Sequence, residues 1–148
     1  MLRAIGRVVL GVFLVGAGIS HFTSADAFLA QVPPWLPAPE AIVFVSGVVE
    51  LVLGTFLVLA PRRYRPKVGW VVAGFFVIIF PGNISQFVTE TDAFGLDSDA
   101  ARFVRLLFQP VLVVWALWST SAWKTWRERR GQSTVGAPAA KNASNESK

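Results

Sequence analysis

Four long apolar segments constrain this chain more than any other feature of its sequence. They occupy residues 4–22, 41–59, 68–88 and 103–123. Each has roughly the 20 residues that a helix needs to cross the ~30 Å hydrocarbon core of a bilayer. A soluble helical bundle would need a polar stripe along every helix, whereas these segments are apolar on nearly every face. The sequence therefore predicts an all-α protein, an integral membrane four-helix bundle formed by residues 1–130.

The composition agrees with a lipid environment and excludes several kinds of chemistry. Of the 148 residues, 53% are hydrophobic and 16% are charged, which is more apolar than a soluble domain of this size can bury. The chain has no cysteine and one histidine, so it lacks the thiolates of an iron–sulfur cluster and the second histidine of a bis-histidine haem. We therefore expect no metal site and no intrinsic cofactor.

The distribution of charge predicts an orientation. Lysines and arginines precede or open the first segment, fill the loop 61–67 and follow the fourth segment, whereas the connections 23–40 and 89–101 contain acidic residues and no lysine or arginine. Because basic loops stay in the cytoplasm, both chain ends are predicted to be cytoplasmic. The net charge of +5 then reflects topology and requires no nucleic-acid partner. We expect a multi-pass protein of a bacterial plasma membrane, with residues 131–148 as a disordered cytoplasmic tail.

The first segment has a second interpretation. Arg3 and Arg7 precede an apolar stretch, and residues 25–27 read Ala-Asp-Ala, which together imitate a signal peptide with its cleavage site. Cleavage there would leave three spans in the same orientation. The charge pattern alone therefore leaves both a retained and a cleaved first segment open.

The connection 23–40 also leaves two interpretations. Phe28, Val32 and Trp35 recur at helical spacing before a group of prolines interrupts any helix. This pattern suits a short interfacial helix or partly re-entrant segment over the outer end of the bundle. An ordinary loop suits it equally well.

Five polar residues lie within or at the end of the apolar segments: His21, Glu50, Asn83, Arg105 and Gln109. An ionisable group inside a membrane costs ~2.5–3.5 kcal/mol or more, so each is a functional candidate. Glu50 lies nine residues from either end of its segment, near the midplane. Pro81 and Pro110 interrupt helices beside these polar positions, as at many membrane binding sites. Since all five fall in the outer half, the sequence predicts a polar pocket that opens toward the outer leaflet.

The partners of these residues are less constrained. Arg105 and Gln109 are four residues apart and share a helix face, with Gln109 at about the depth of Glu50. An ion pair of Glu50 with Arg105, or a hydrogen bond of Glu50 with Gln109, is compatible with this spacing. Arg105 could instead snorkel to the outer surface. A lone His21 suits an interface or capping role better than that of a ligand or proton carrier.

Five short motifs surround these residues: GISHF at 18–22, VPPWLP at 32–37, SGVVE at 46–50, FPGNI at 80–84 and RLLFQ at 105–109. In this order and spacing, the sequence resembles the DoxX-like family of small four-helix bacterial membrane proteins. The family's polar motif positions map onto the same five residues. The sequence departs from the usual pattern at Gly82 and at Ser85-Gln86, where relatives often carry alanine and a bulkier aromatic or methionine residue.

The resemblance implies a function in redox metabolism, since the family is named for a membrane subunit of quinone-linked thiosulfate oxidation and includes relatives linked with oxidative stress. The leading hypothesis is a non-catalytic or accessory subunit that binds a quinone or other lipophilic molecule in the outer pocket. Its partners would be membrane lipids and a redox subunit that supplies electrons. The alternatives are a small transporter or lipid-binding protein, which would work as a homo-oligomer, and a purely structural membrane scaffold.

Overall fold

The computed structural model of the chain describes residues 1–90 and 98–135, and these residues form helices and turns without strands. The six helices are α1 (Leu2–Thr23), α2 (Ala25–Leu29), α3 (Pro39–Leu59), α4 (Arg65–Val88), α5 (Asp99–Ser119) and α6 (Ala122–Val135). Within the described ranges, α1, α3, α4 and α5 are long and apolar enough to cross a membrane. The predicted all-α class with four span-length helices is therefore confirmed.

The fourth long helix ends earlier than the sequence suggests. Its apolar segment continues to residue 123, but α5 ends at Ser119 and a new helix starts at Ala122. The hydroxyl of Thr120 donates to the carbonyl of Ala116 at 2.7 Å, and Ser121 has a φ of 62°, in the left-handed region. Hydroxyl side chains that bond to the preceding turn compete with the helix ladder, and the left-handed residue then redirects the chain.

The last helix overlaps the segment that the sequence predicts to be disordered. α6 continues to Val135, so residues 131–135 are helical. Residues 136–148, which make up the rest of the predicted tail, lie outside the described residues, as do residues 91–97 of the acidic connection. The prediction for the tail beyond Val135 therefore stays a prediction.

Glycines bring α1 and α3 into the most extensive contact of the bundle. A Cβ on Gly54 would lie 2.6 Å from the carbonyl oxygen of Gly11, and one on Gly18 would lie 2.9 Å from that of Gly47. Small residues at this spacing let two helix backbones approach closely, as in membrane helix pairs. α4 packs mainly on α5, while the α3–α4 and α1–α5 contacts that close the ring are smaller.

The middle of the bundle is a continuous apolar core. It is built by buried residues of all four long helices: Leu10, Leu14, Leu53, Leu57, Val72, Ala73, Phe76, Leu112 and Ala116. Large apolar side chains also cover the outside of the helices, such as Val12, Phe44 and Val114, each more than half exposed. The four helices are thus apolar toward the core and toward their surroundings.

Arg7 has a packing role that the charge pattern does not reveal. The charge pattern treats it as a marker of orientation, yet its side chain is 6% exposed. It donates to the carbonyl oxygen of Leu57, and to that of Val58 at 2.9 Å. These carbonyls lie in the last turn of α3, where the helix leaves acceptors without an intrahelical donor. Arg7 therefore fastens α1 to the end of α3.

Candidate functional site

Four of the five predicted polar residues line one cavity of about 340 Å³, at the end of the bundle that α2 covers. They are His21 from α1, Glu50 from α3, Asn83 from α4 and Arg105 from α5. The rest of the wall is largely apolar and includes Phe28, Val32, Ile42, Val43, Ile78 and Ile79. Apolar walls with a few convergent polar groups are the usual composition of a small-molecule site.

His21 and Glu50 form a buried pair. The Nδ1 of His21 lies 3.0 Å from the carbonyl oxygen of Val43, and its Nε2 lies 3.4 Å from Oε2 of Glu50. A carbonyl oxygen can only accept, which assigns the proton to Nδ1 and turns Nε2 toward the carboxyl group. The two atoms that can carry a proton, Nε2 of His21 and Oε2 of Glu50, thus face each other inside the bundle. His21 is thus a partner of Glu50 and not a capping residue.

Packing fixes the orientation of this histidine. Its ring stacks on that of Phe28, with centroids 3.6 Å apart and planes 23° apart. Phe28 belongs to α2, which lies in the connection after α1. The structure has a five-residue helix at the start of this connection, whereas Val32 and Trp35 lie in the turns that follow it. The ring of Phe28 holds the imidazole of His21 against the cavity wall.

The outer carboxyl oxygen of Glu50 has an unusual environment. The residue is 7% exposed, and Oε2 makes no hydrogen bond within the described part of the chain, since its contact with His21 falls short of hydrogen-bond geometry. A buried polar atom without a partner costs ~1–3 kcal/mol. Glu50 lines the cavity although Oε2 itself is fully buried, so a molecule in the cavity can supply this partner once the carboxyl group rotates toward it.

Arg105 lines the opposite wall and contacts a residue that the sequence analysis missed. Its Nη2 donates to Oε1 of Gln31, and Nε2 of Gln31 donates to the carbonyl oxygen of Ala27 at 2.8 Å. Gln31 is buried, although it lies in the connection between α2 and α3. The sequence does contain a signal for Gln31: it is an amide side chain in an otherwise apolar stretch directly before the prolines. Arg105 therefore faces the bundle and does not snorkel outward.

Asn83 and Gln109 form a second polar pair behind the cavity. Nδ2 of Asn83 donates to Oε1 of Gln109 at 2.9 Å, and Nε2 of Gln109 donates to the carbonyl oxygen of Phe76 at 2.7 Å. Gln109 is buried and supports Asn83 from behind, so it is outside the cavity lining. The carbonyl of Phe76 lies in the helical turn before Pro81, where the proline disturbs the backbone bonds of α4.

The predicted pairings of Glu50 with Arg105 or Gln109 are wrong. Glu50 contacts His21, while Arg105 contacts Gln31 and Gln109 contacts Asn83. The physical reason is the packing of the helices. α3 packs against α1 and has little contact with α5, so the imidazole of His21 on α1 lies next to the carboxyl group of Glu50. The connection between α2 and α3 occupies the space in front of Arg105.

The site therefore presents the His21–Glu50 pair on one side and the guanidinium of Arg105 on the other, with apolar wall between them. Among the described residues, no group of three histidine, cysteine or acidic side chains is close enough to hold a metal ion. The arrangement can donate hydrogen bonds from Arg105, and it can accept or donate one at Glu50.

Comparison with known proteins places this architecture in a family. A family model described as a domain of unknown function (DUF8561) matches residues 10–120. The chain belongs to this family. The DUF8561 match includes all five predicted polar residues and Gln31, so the whole cavity lies inside the family domain, while α6 follows it. No curated protein and no solved structure matches the chain significantly.

Proposed function

We propose that this chain is a multi-pass membrane protein that binds a lipophilic molecule with a polar head group in the cavity at Glu50, as a non-catalytic subunit of a redox system. The observation that carries the proposal is Glu50, which lines the cavity beside His21 and whose buried Oε2 has no hydrogen-bond partner in the described chain. A molecule with a hydroxyl group, which can donate a hydrogen bond, would satisfy it.

The membrane setting is supported by the outside of the helices. Large apolar side chains such as Phe44, Ile78 and Val114 are exposed on four helices of span length. Exposed apolar surface of this extent needs lipid around it. The separation of basic and acidic connections favours a bundle with both chain ends in the cytoplasm of a bacterium, and so an outer position for the cavity.

The lining of the cavity favours a route through its side. Ile78 of α4 belongs to the lining and is also 76% exposed on the outside of the bundle. Residues of α3 and α4 line this cavity together, and the contact between these two helices is one of the smaller ones of the ring. A head group can therefore occupy the cavity while an apolar tail leaves between α3 and α4 into the lipid. The volume of about 340 Å³ lies at the lower end of the ~300–1,000 Å³ of typical ligand sites, which suits a single ring.

A quinone or its quinol is the molecule class that this geometry suits best. Its ring carries oxygens at opposite ends, so one can accept a hydrogen bond from Arg105 while the other exchanges a proton with the Glu50–His21 pair. Oxidation of a quinol releases two protons and two electrons. The pair can take up one proton, the second would pass to water at the outer end of the bundle, and both electrons would pass to a redox partner subunit. The resemblance to DoxX-like proteins supports this redox assignment.

Transport is the weaker alternative. A transport pathway must open toward both sides of the membrane. Toward the other end of the bundle, however, the cavity is followed by the buried side chains of Leu53, Leu57 and Val72. The packing therefore favours a binding site closed at its inner end, and uptake into proteoliposomes would separate the two functions.

The test is a titration of the purified protein with a short-chain naphthoquinone, followed by isothermal calorimetry. Glu50→Gln keeps the shape of the side chain but removes the titratable oxygen, and we expect about tenfold weaker binding, as for a lost hydrogen bond to a charged group. Glu40→Gln is the matched control, because Glu40 is an exposed carboxylate at the start of the same helix. Equal affinity in all three proteins, or no saturable binding, would contradict the proposal.

A further inference from the structure

A second cavity lies at the opposite end of the bundle, where α1 begins and α5 meets α6. It has a volume of about 380 Å³, with Arg3, Ser121 and Lys124 as its polar lining. Its apolar lining consists of Val114, Leu117, Trp118 and Trp123. This cavity shares no residue with the one at Glu50, so it has to be explained separately.

The polar part of this cavity is positively charged. Nη1 of Arg3 donates to the hydroxyl of Ser121 at 3.1 Å, which leaves the other guanidinium donors available to a bound group. Nζ of Lys124 lies 3.7 Å from Oε1 of Glu128, but both side chains are more than half exposed. An exposed pair of this kind contributes only ~0–1 kcal/mol, so Lys124 can turn to a stronger anion. The two cations thus flank one pocket at the end of the helices.

An apolar groove continues from this pocket along α5. A neighbouring cavity of about 480 Å³ is lined by Pro110, Val111, Val114, Trp115 and Trp118, and it shares Val114 and Trp118 with the charged pocket. From Pro110 to the end of α5 at Ser119 the helix rises ~14 Å at 1.5 Å per residue. That length is close to half of the ~30 Å hydrocarbon core, the depth of one leaflet.

We propose that this continuous surface binds an anionic phospholipid, with its phosphate between Arg3 and Lys124 and an acyl chain in the groove along α5. The charge of the pocket selects a lipid with net negative charge over a zwitterionic one. Trp118 and Trp123, each nearly half exposed, stand where the head group meets the acyl chain, the level that indole rings prefer. The inference rests on membrane insertion of the bundle and is independent of any ligand at Glu50.

The test is native mass spectrometry of the detergent-purified full chain, titrated with phosphatidylglycerol or phosphatidylcholine. We expect phosphatidylglycerol to bind about tenfold more tightly, and Arg3→Gln with Lys124→Gln to abolish this preference. Arg62→Gln with Arg63→Gln is the matched control, because it removes the same charge from exposed positions in the α3–α4 loop at this end of the bundle. Equal binding of both lipids, an unaffected preference in the Arg3 and Lys124 variant, or an equal loss in the control would overturn the assignment.

A measurement without charge substitutions keeps the proposal testable if that variant does not fold. Phosphatidylglycerol with brominated acyl chains should quench the tryptophan fluorescence of the native protein, and Trp118→Phe should remove more of the quenching than Trp35→Phe, at the other end of the bundle. Glycerol phosphate at the same concentration should not displace the lipid. Equal effects of the two substitutions would refute the groove, and displacement by glycerol phosphate would assign the pocket to a soluble phosphate compound.

Discussion

Nε2 of His21 faces Oε2 of Glu50 at 3.4 Å, across the closest helix interface of the bundle. Only 7% of each residue is exposed. The backbones of α1 and α3 meet at glycines on this interface, and a Cβ on Gly47 would lie 2.7 Å from that of His21. The His21–Glu50 contact therefore depends on the close packing of these two helices. The chemistry of the cavity and the packing of the bundle depend on the same pair of helices.

The His21–Glu50 contact predicts an energetic coupling between these residues. His21→Ala and Glu50→Ala, combined in a double-mutant cycle of unfolding in detergent, should show an interaction energy of at least ~0.5 kcal/mol, as for residues in direct contact. A parallel cycle of His21→Ala with Glu40→Ala should be additive, since Glu40 is exposed. Additivity in both cycles would show that the pair does not interact in the folded protein.

The glycine contact predicts opposite effects for two chemically identical substitutions. Gly54→Ala places a methyl group 2.6 Å from the backbone of Gly11, whereas the equivalent atom on Gly16 meets no described atom within 4 Å. We expect Gly54→Ala to lower the free energy of unfolding by ~1–3 kcal/mol, through overpacking. Gly16→Ala should be neutral or stabilising by up to ~1 kcal/mol, because alanine favours the helix. Thermal unfolding in one detergent compares them, and equal shifts would contradict the interface.

Gln31 is predicted to be a positioning residue, because it holds Arg105 at the cavity wall. Gln31→Ala should weaken binding of the short-chain naphthoquinone about tenfold, the effect of losing one hydrogen bond to a charged group. Gln31→Glu keeps an acceptor for the guanidinium and should restore affinity. Because glutamate also fills the same space, the discriminating variant is Gln31→Met, which keeps the volume without an acceptor and should stay weak. Equal rescue by methionine and glutamate would show that Gln31 only fills space and would remove it from the site.

The predicted topology can be measured directly, because the chain contains no cysteine. Ser24→Cys and Arg62→Cys each introduce one thiol at an exposed position, at opposite ends of the bundle. A membrane-impermeant maleimide should label the first variant in intact bacterial cells and the second only after the membrane is permeabilised. The reverse pattern would contradict the orientation. Failure of the first to label under either condition would indicate that the leading segment is cleaved.

The four long helices could be predicted because hydropathy along the sequence is a local property. The polar contacts depend on which helices are neighbours, and the apolar segments by themselves do not indicate which helices pack together. One signal in the sequence does indicate the α1–α3 contact: Gly11 and Gly18 are seven residues apart on α1, as are Gly47 and Gly54 on α3. Two matching glycine pairs suggest that these helices approach each other, which would have placed His21 opposite Glu50.

The position of Gln31 could not be derived in the same way. It lies between α2 and α3, and the fold of this connection is set by its contact with the bundle. The end of α5 at Ser119 could not be predicted from hydropathy either, because the apolar segment continues through Trp123. Hydroxyl groups and a residue with left-handed backbone end the helix before that point. Both features arise from hydrogen bonds that have no periodic pattern in the sequence.

The most direct test of a ligand at Glu50 is native mass spectrometry of the protein extracted gently from its own membranes. The account predicts that the native protein and Glu40→Gln retain a small lipophilic molecule of one defined mass, and that Glu50→Gln, folded and with the same number of chains, loses it. A native protein that carries no such molecule, or a Glu50→Gln variant that retains it fully, would contradict the account and favour a structural role for the buried pair.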